Sequence, residues 1–473
     1  MTRSASVKAM GLLAMAGLSG LLASLARAED APQYHIERCC EICPQALQDT
    51  TYSGDMGEFT KLVQGREDWL FRSKIDFMTD IGTTPEGYKH LQDLRDALKA
   101  KGVELVMVYL PPRGLVSTEM LSPQSLGSFD VELSRKNYLA TIEHLRSLGI
   151  RVPDLSALLA QPADVRKTLF FKRDNHWTPR GAELAAQLLA AELSKSEVFK
   201  SIPRKEFVTH KEGVHHKIGS LNQAFGKICG NGYANEYFTR AVTEPKEESS
   251  ELFGDVASPD VVLVGTSFSS AQYNFEGFFK QYAQVDVDNR SVTGGGFHSA
   301  MLQYLGSQDF QKHPPKILVW EVNSYYDLAM AIFYRQIMPM LDDGCRTSPA
   351  ALRQKVALHP GRNQILVNTE VKPIHSQDYV ADIQFTPGNV RDLRSSFWYM
   401  SGSQDNLNIS RAPEVEPDGR FVFGLRDDAE WYGQTLLSLE VVMPDDMPAG
   451  MQVEASICQR RDQPKAALQA KAD

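Results

Sequence analysis

Short apolar runs alternate with segments of helical spacing through the first two thirds of the chain. The run at 103–110 follows a helical segment and Gly102, and two prolines stop it. Similar runs stand at 150–152, 261–264 and 317–322. Strands that alternate with helices in this way form a parallel sheet with helices on both faces. The sequence therefore predicts an α/β domain.

A polar loop follows the third of these runs. Ligands of parallel sheets bind at the carboxyl ends of the strands, and Ser267 lies there, directly after a Gly-Thr turn. Its hydroxyl would point into the crevice, and its backbone N–H, near a helix N-terminus, could help to hold an oxyanion. Ser269 and Ser270 are alternative nucleophiles in the same loop. An ordinary turn with a serine that caps the next helix is the other interpretation.

Asp174 and His176 supply the groups that a serine nucleophile needs. In extended backbone, side chains two residues apart face the same side, so this carboxylate and imidazole should meet in one cavity. Thr178 and Pro179 fit the N-cap and first turn of a helix that would hold His176 in place. We therefore expect a Ser267–His176–Asp174 acyl-transfer site. A surface ion pair, part of a metal site and simple helix-entry chemistry are the alternatives.

Other potential ligands do not form a convincing metal site. No third ligand is evident beside the Asp-x-His pair, and the remaining histidine cluster is expected to lie in a solvated loop. No glycine-rich phosphate loop followed by Lys is present, so we expect neither a metal nor a cofactor. The histidine cluster consists of His210, His215 and His216. The other potential metal ligands are the cysteines Cys39, Cys40 and Cys43.

The N-terminus has the pattern of a secretory signal. Arg3 and Lys8 precede an apolar stretch at 9–26, and Ala26-Arg27-Ala28 fits a small-residue cleavage site. We predict a signal peptide over 1–28 and a periplasmic mature chain. An uncleaved membrane anchor is the alternative.

The six cysteines that would remain after cleavage are an even number in an exported chain, so disulfides are expected. Cys345 and Cys458 lie near the two ends of a C-terminal segment, and a bridge between them would close a long loop. We favour Cys43–Cys229 as the second bridge, although the sequence does not choose among the possible pairings.

The pattern of the chain changes after residue 344. Apolar residues alternate with polar ones in short runs that Pro, Gly and Asp turns separate, which indicates an antiparallel β-sandwich over 345–473. The preceding catalytic domain would then span 29–344. The net charge of −9 argues against nucleic acid as a partner, and it means that a polyanion would need a local basic patch.

Four motifs, in order, resemble one known family over about residues 50 to 340. Together they are similar to the SGNH-hydrolase-like domain of the bacterial alginate O-acetyltransferases, with the nucleophile after the Asp–His pair as though the sheet were permuted. The resemblance implies that Ser267 is the nucleophile and that Asp174 and His176 complete the triad. The motifs are Gly65-Arg66-x-x-Trp69-Leu70-Phe71, Val108-Tyr109-Leu110-Pro111-Pro112-Arg113, Arg173-Asp174-Asn175-His176-Trp177-Thr178-Pro179-x-Gly181 and Gly265-Thr266-Ser267-Phe268-Ser269.

The usual oxyanion motifs of SGNH enzymes are not recognisable, so Tyr326, Asn323 and Gly295 are the candidates. The resemblance also implies a carbohydrate-binding role for the C-terminal sandwich. There Arg394 can pair with a uronate carboxylate and Trp398 can stack on a sugar ring. A buried Trp398 among solvated arginines is the alternative.

The resemblance implies acetylation of mannuronate residues of alginate at O2 or O3, through an acetyl-serine, in the periplasm. Membrane proteins would relay the acetyl groups, and contacts with the acetylation and secretion proteins are expected. An acetyl-esterase uses the same residues and is the main alternative function. A polymer-binding scaffold of the export complex is the third.

Overall fold

The computed structural model describes residues 42–246 and 258–461. The predicted signal peptide, Cys39 and Cys40 lie outside these ranges. Within them, no helix is both long and apolar enough to cross a bilayer.

Helices and strands alternate through the N-terminal part. Its strands are β1 Leu62–Gln64, β2 Leu70–Arg72, β3 Glu104–Leu110, β4 Phe207–Lys217, β5 Glu236–Pro245, β6 Val261–Val264, β7 Asp288–Asn289 and β8 Ile317–Asn323. Its α-helices are α1 Pro85–Ala100, α2 Arg113–Val116, α3 Pro123–Ser128, α4 Val131–Ser147, α5 Ala163–Arg166, α6 Pro179–Leu193, α7 Glu197–Lys200, α8 Ser220–Cys229, α9 Phe275–Ala283, α10 Ser299–Leu305, α11 Gln308–Lys312 and α12 Ala331–Met340. Short 3₁₀ helices span Pro44–Leu47, Asp49–Thr51, Gly54–Phe59, Arg66–Asp68, Thr118–Met120, Leu155–Leu158, Ser267–Ser269 and, further on, Ser376–Asp378.

The central sheet has the strand order β3-β8-β6-β7, and all its pairings are parallel. Its three longer strands are almost wholly buried because helices cover both faces, which confirms the predicted α/β fold. The strand predicted at 150–152 is only a single bridge between Arg151 and Val106, since Pro153 follows at once.

A long antiparallel pair of strands, β4 and β5, with α8 in the connection between them, was not predicted. The segment expected to be a solvated loop around His210, His215 and His216 is strand β4, paired with β5 along its length. Most β4 side chains are exposed, so the strand lacks the apolar alternation that identifies a half-buried strand from sequence. Extensive backbone pairing, which the sequence pattern does not reveal, forms this element.

The C-terminal part is a sandwich of two four-stranded antiparallel sheets, as predicted. The orders are β10-β15-β12-β13 and β14-β11-β16-β9, and inward-facing apolar side chains form the core between them. The strands are β9 Ala350–Ala357, β10 Gly361–Val367, β11 Tyr379–Thr386, β12 Asp392–Tyr399, β13 Gln404–Ser410, β14 Arg420–Gly424, β15 Leu436–Met443 and β16 Gln452–Gln459.

Two disulfides tie distant segments together, and both confirm the predicted pairs. Cys43–Cys229 joins the segment before β1 to the end of α8 across a sequence separation of 186. Cys345–Cys458 joins the start of the sandwich to its last strand across a separation of 113. The second bridge is buried at the junction of the two parts, where it belongs to the core of the N-terminal part.

Candidate active site

The structure brings together the three residues predicted to form the triad. His176 Nε2 lies 2.7 Å from Ser267 Oγ, and His176 Nδ1 lies 2.6 Å from Asp174 Oδ1. The Asp174 carboxylate is buried, whereas Ser267 and His176 keep part of their surface exposed. A hydroxyl, an imidazole and a buried carboxylate in this order form a hydrogen-bonded triad that can activate a serine nucleophile.

The Asp-x-His segment is a tight bend and not the extended strand that we expected. Phe170 and Trp177 form an antiparallel bridge, and the chain turns between them. The backbone N–H of His176 donates to Asp174 Oδ1 at 2.9 Å, as in an Asx turn. The two side chains meet because the carboxylate organises the turn, so the predicted contact is present for a different local reason. Thr178 caps α6 as predicted.

The start of α8 and the end of β4 hold the buried carboxylate of Asp174. The backbone N–H of Ser220 donates to Asp174 Oδ2 at 2.7 Å, and Lys217 Nζ lies 3.4 Å from the same oxygen. Burial alone would raise the pKa of Asp174, but the hydrogen bond and charge of His176, together with Lys217 and Ser220, lower it well below its usual value. Asp174 therefore stays ionised near neutral pH, when it can stabilise an imidazolium.

Gly219 permits this support of the acid. Its φ is +86°, and a Cβ there would lie 2.3 Å from the carbonyl oxygen of Arg173. Both the left-handed conformation and the close approach exclude other residues without a local shift.

The loop that carries Ser267 is anchored on Glu321 of β8. Glu321 Oε2 accepts from the backbone N–H of Thr266 at 2.8 Å, from Thr266 Oγ1 at 2.9 Å and from Ser269 Oγ at 3.2 Å. Asn323 Nδ2 approaches the other oxygen at 3.4 Å. The hydroxyl of Ser269 is thus buried and committed to Glu321, which leaves Ser267 as the loop hydroxyl beside the histidine.

Sequence reasoning missed Glu321, although an acidic residue within the apolar run of β8 was the available signal. The side chain has no exposed surface. Burial raises the pKa of Glu321 to about 7 even though the hydrogen bonds from Thr266 and Ser269 oppose the shift.

Two aromatic rings that sequence reasoning also missed enclose the histidine. The ring of Tyr273 stacks on His176 with centroids 5.1 Å apart, and Phe268 lies at 4.7 Å. Trp177 Nε1 donates to the carbonyl of Phe268 at 2.8 Å, which links the histidine segment directly to the nucleophile loop. These contacts restrict the imidazole to the orientation that meets Ser267.

The predicted oxyanion residues have different surroundings. Asn323 is buried and directed at Glu321, and the Gly295 N–H donates to the Val292 carbonyl at 3.3 Å. Tyr326 is half-buried, and its ring lies 4.5 Å from that of Tyr325. Burial raises the pKa of Tyr326, so its hydroxyl keeps its proton and can donate a hydrogen bond.

Arg394 and Trp398 lie on the outer face of the sheet β10-β15-β12-β13. Arg394 is exposed and has no ion-pair partner within residues 42–246 and 258–461, and Trp398 is partly exposed, outside the sandwich core. Ser396 lies between them on the same face of β12, opposite Glu440 of β15. Arg362 of β10, which the sequence analysis did not select, reaches Glu440 at 2.7 Å. An aromatic ring, two guanidinium groups and small polar side chains therefore share one face.

Residues 62–324 match the family model described as an SGNH hydrolase-like domain, acetyltransferase AlgX. The chain belongs to the AlgX family. The AlgX of Pseudomonas aeruginosa, a curated alginate biosynthesis protein, is 45% identical over 444 residues, which cover 93% of each chain. The solved structure of that AlgX superposes with a TM-score of 0.83 and covers 89% of this chain and 99% of its own. The family resemblance predicted from the motifs is thus confirmed.

Two further comparisons concern the parts of the chain. Residues 344–471 match a model described as a C-terminal carbohydrate-binding module. A probable alginate O-acetylase, AlgJ of Pseudomonas putida, is 31% identical over 276 residues, which cover 56% of this chain and 70% of AlgJ. Disulfides persist in oxidising compartments, and the two bridges of this AlgX-family chain indicate an extracytoplasmic location.

Proposed function

We propose that the chain is an O-acetyltransferase that acetylates mannuronate residues of alginate at O2 or O3. The observation that carries the proposal is the continuous hydrogen-bonded relay from Asp174 through His176 to Ser267. The relatives support the substrate, because AlgX is named for alginate biosynthesis and AlgJ for alginate O-acetylation.

In the first step, Ser267 Oγ attacks the carbonyl carbon of an acetyl donor while His176 Nε2 takes the hydroxyl proton. The tetrahedral intermediate collapses, the bond to the donor's leaving group breaks, and the imidazolium returns the proton to that group. Ser267 now carries an acetyl ester. Ionised Asp174 stabilises the imidazolium and holds Nδ1 as the protonated nitrogen.

In the second step, a mannuronate hydroxyl attacks the acetyl ester, and His176 Nε2 takes its proton. The bond between the acyl carbon and Ser267 Oγ breaks, and the serine oxygen regains a proton from the imidazolium. Water in place of the sugar would give an esterase with the same residues. The choice between the two activities therefore depends on which acceptor reaches the acetyl-enzyme.

Ser267 and Tyr326 are the donors that we propose for the oxyanion. Ser267 is the first residue of its short helix, and an N–H at this position has no acceptor within the helix. Tyr326 keeps its phenolic proton and is only half-buried, with the Tyr325 hydroxyl as its present hydrogen-bond partner, whereas the buried Asn323 and the Gly295 N–H face Glu321 and the Val292 carbonyl. A charge that develops on the substrate oxygen would be stabilised by such oriented donors.

We further propose a periplasmic setting after removal of residues 1–28, with acetyl groups relayed by membrane proteins and with contacts to the alginate secretion proteins. The face around Arg394 and Trp398 would hold the polymer through its carboxylates and sugar rings. Such retention favours the sugar over water as acceptor, because a bound polymer has a high effective concentration.

Mass spectrometry of polymannuronate oligomers incubated with a surrogate acetyl ester tests the proposal. The wild-type mature chain should add acetyl mass to the sugar, and Ser267→Ala should add none. Ser270→Ala is the matched control, since its hydroxyl lies in the same loop and makes no hydrogen bond to the triad. Ester consumption without sugar acetylation would instead establish an esterase. Oligomer binding without serine-dependent chemistry would establish a scaffold.

A further inference from the structure

A second polar groove lies on the outer face of the other sheet of the C-terminal module. It runs over β9, β16 and β11, has a cavity volume of about 190 Å³ and includes Cys345 of the junction disulfide in its wall. We call it the β9 groove. The side chains that matter to the argument are Arg346, Arg353, Lys355, Gln384, Gln452 and Glu454.

Positive charge dominates the exposed rim of the β9 groove. Lys355 is exposed and has no ion-pair partner among the described residues. Arg353 Nε lies 3.6 Å from Glu454 Oε1, and both side chains are about half exposed. Arg346 is exposed as well and lies 3.7 Å from Asp343. Among the described residues, three exposed cations and one exposed carboxylate, Glu454, therefore lie at the rim.

The acidic groups beneath the groove cancel only part of this positive charge. Buried Arg420 donates to Asp343 Oδ1 at 2.5 Å and to Asp382 Oδ2 at 2.7 Å. The guanidinium of Arg420, which has almost no exposed surface, offsets one of these two negative charges, and Arg346 approaches Asp343 from the rim, so the groove as a whole keeps a small net positive charge. In a chain with a net charge of −9, the β9 groove is a local basic patch of the kind that a polyanion requires.

Neutral hydrogen-bonding groups continue the groove beside the cations. Gln384 of β11 lies across Glu454 of β16 from Lys355 of β9, and Gln452 is the next outward-facing residue of β16. The Gln384 amide is already engaged, because its Nε2 donates to the Asp418 carbonyl at 2.9 Å and its Oε1 accepts from Arg346 at 3.2 Å. The Gln452 amide can bind a hydroxyl, and the rim cations can bind carboxylates. A polymer that bears a carboxylate on each sugar presents both kinds of group.

We propose that the β9 groove is a second binding site for polyuronate, separate from the face that carries Arg394 and Trp398. The two sites lie on the outer faces of opposite sheets, with the sandwich core of about 10 Å between them. A single short oligomer therefore occupies one site or the other, and only a longer polymer that passes around the module engages both. The inference deepens the proposed function, on whose polymer it rests.

The chemistry of the β9 groove predicts how it binds. Within residues 42–246 and 258–461, no aromatic side chain lines it, so we expect no sugar stacking there. Binding depends on exposed charges, which salt screens at distances of about 8–10 Å near physiological ionic strength. Affinity at this groove should fall steeply with added salt, whereas binding at the Trp398 face should keep a salt-independent component.

Calorimetry with polymannuronate oligomers tests the inference in the mature chain with Trp398→Ala. Adding Arg353→Gln and Lys355→Gln should weaken the remaining binding about fivefold, as the loss of two exposed ion pairs would. Lys89→Gln with Lys99→Gln removes the same charge from the exposed side of α1 and should change nothing. Lys355→Glu alone is a second variant. Because the native lysine makes no ion pair among the described residues, this substitution breaks no such contact.

Unchanged binding in both groove variants would overturn the inference. Abolition of all binding by Trp398→Ala alone would do the same, and so would equal binding of a neutral mannan. If the cations only protect the edge strand β9 from pairing with other chains, the groove variants should aggregate but bind normally. Serine-dependent acetylation of short oligomers is measured separately, so failure of the proposed chemistry is distinguishable from failure of this site.

Discussion

Glu321→Gln should change how the stability of the protein depends on pH. The native carboxyl is fully buried, accepts hydrogen bonds from Thr266 and Ser269, and has its pKa raised by burial from 4.5 to about 7. A glutamine has nearly the same shape, and its carbonyl oxygen can accept from the Thr266 N–H. The substitution therefore removes the titration and keeps the main anchor of the nucleophile loop.

The sign and size of the effect follow from the two pKa values. Below pH 4.5 the carboxyl is protonated in both the folded and the unfolded chain, so ionisation has no effect on the free energy of unfolding. Between pH 4.5 and 7 the unfolded chain loses its proton and the folded chain keeps it, so stability falls as pH rises. The shift of about 2.5 units corresponds to a loss of about 3 kcal/mol, complete above pH 7.

Chemical unfolding of the oxidised protein at a series of pH values from 4.5 to 8 is the assay. The difference in unfolding free energy between wild type and Glu321→Gln cancels the other titrations, and it should shift by about 3 kcal/mol in favour of the variant as pH rises. Glu143→Gln removes an exposed carboxylate of α4 and should run parallel to wild type. Parallel curves for Glu321→Gln as well would refute the reasoning.

Three further outcomes are expected. Asp174→Asn should lower kcat by about 10³- to 10⁴-fold in the acetyl-transfer assay with little change in KM, because the acid orients the imidazole and stabilises its charged form; a loss confined to KM would contradict this role. Trp398→Ala should weaken oligomer binding by about 1–2 kcal/mol in calorimetry and leave surrogate-ester turnover unchanged. Arg394→Lys retains the charge and should weaken binding less. If ester turnover fell as much as binding did, this face would take part in the chemistry of the triad. Replacement of both Cys345 and Cys458 by Ser should lower the unfolding free energy by about 4–5 kcal/mol, because the bridge closes a loop of 113 residues. An unchanged denaturation midpoint would show that burial alone holds the junction.

The predictable part of this protein lies where local pattern and chemistry coincide. The buried strand before Ser267, the cap and proline after His176 and the alternation in the sandwich each carry a signal within a few residues. Of the two disulfides that the structure confirms, Cys345–Cys458 was predicted from the ends of its segment, and Cys43–Cys229 was only the favoured pairing, since spacing alone does not select one.

The parts that the sequence did not reveal depend on contacts between distant segments. The anchoring of the nucleophile loop joins Thr266 to Glu321, which are far apart in sequence. Strand β4, which contributes Lys217 beside Asp174, has too many exposed polar residues to show the alternation of apolar and polar residues that identifies a strand. Nothing in the sequence around Tyr273 indicates that its ring stacks on the histidine.

The hydrogen bond from the Trp177 indole to the Phe268 carbonyl has a consequence for protein engineering. It joins Trp177, which follows His176, to Phe268, which follows Ser267. The two segments are therefore held together although 91 positions separate them in the sequence. A graft of the serine loop onto a related scaffold must therefore carry the tryptophan with it. Directed-evolution libraries that vary either segment alone should sample far fewer active sequences than libraries that vary both together.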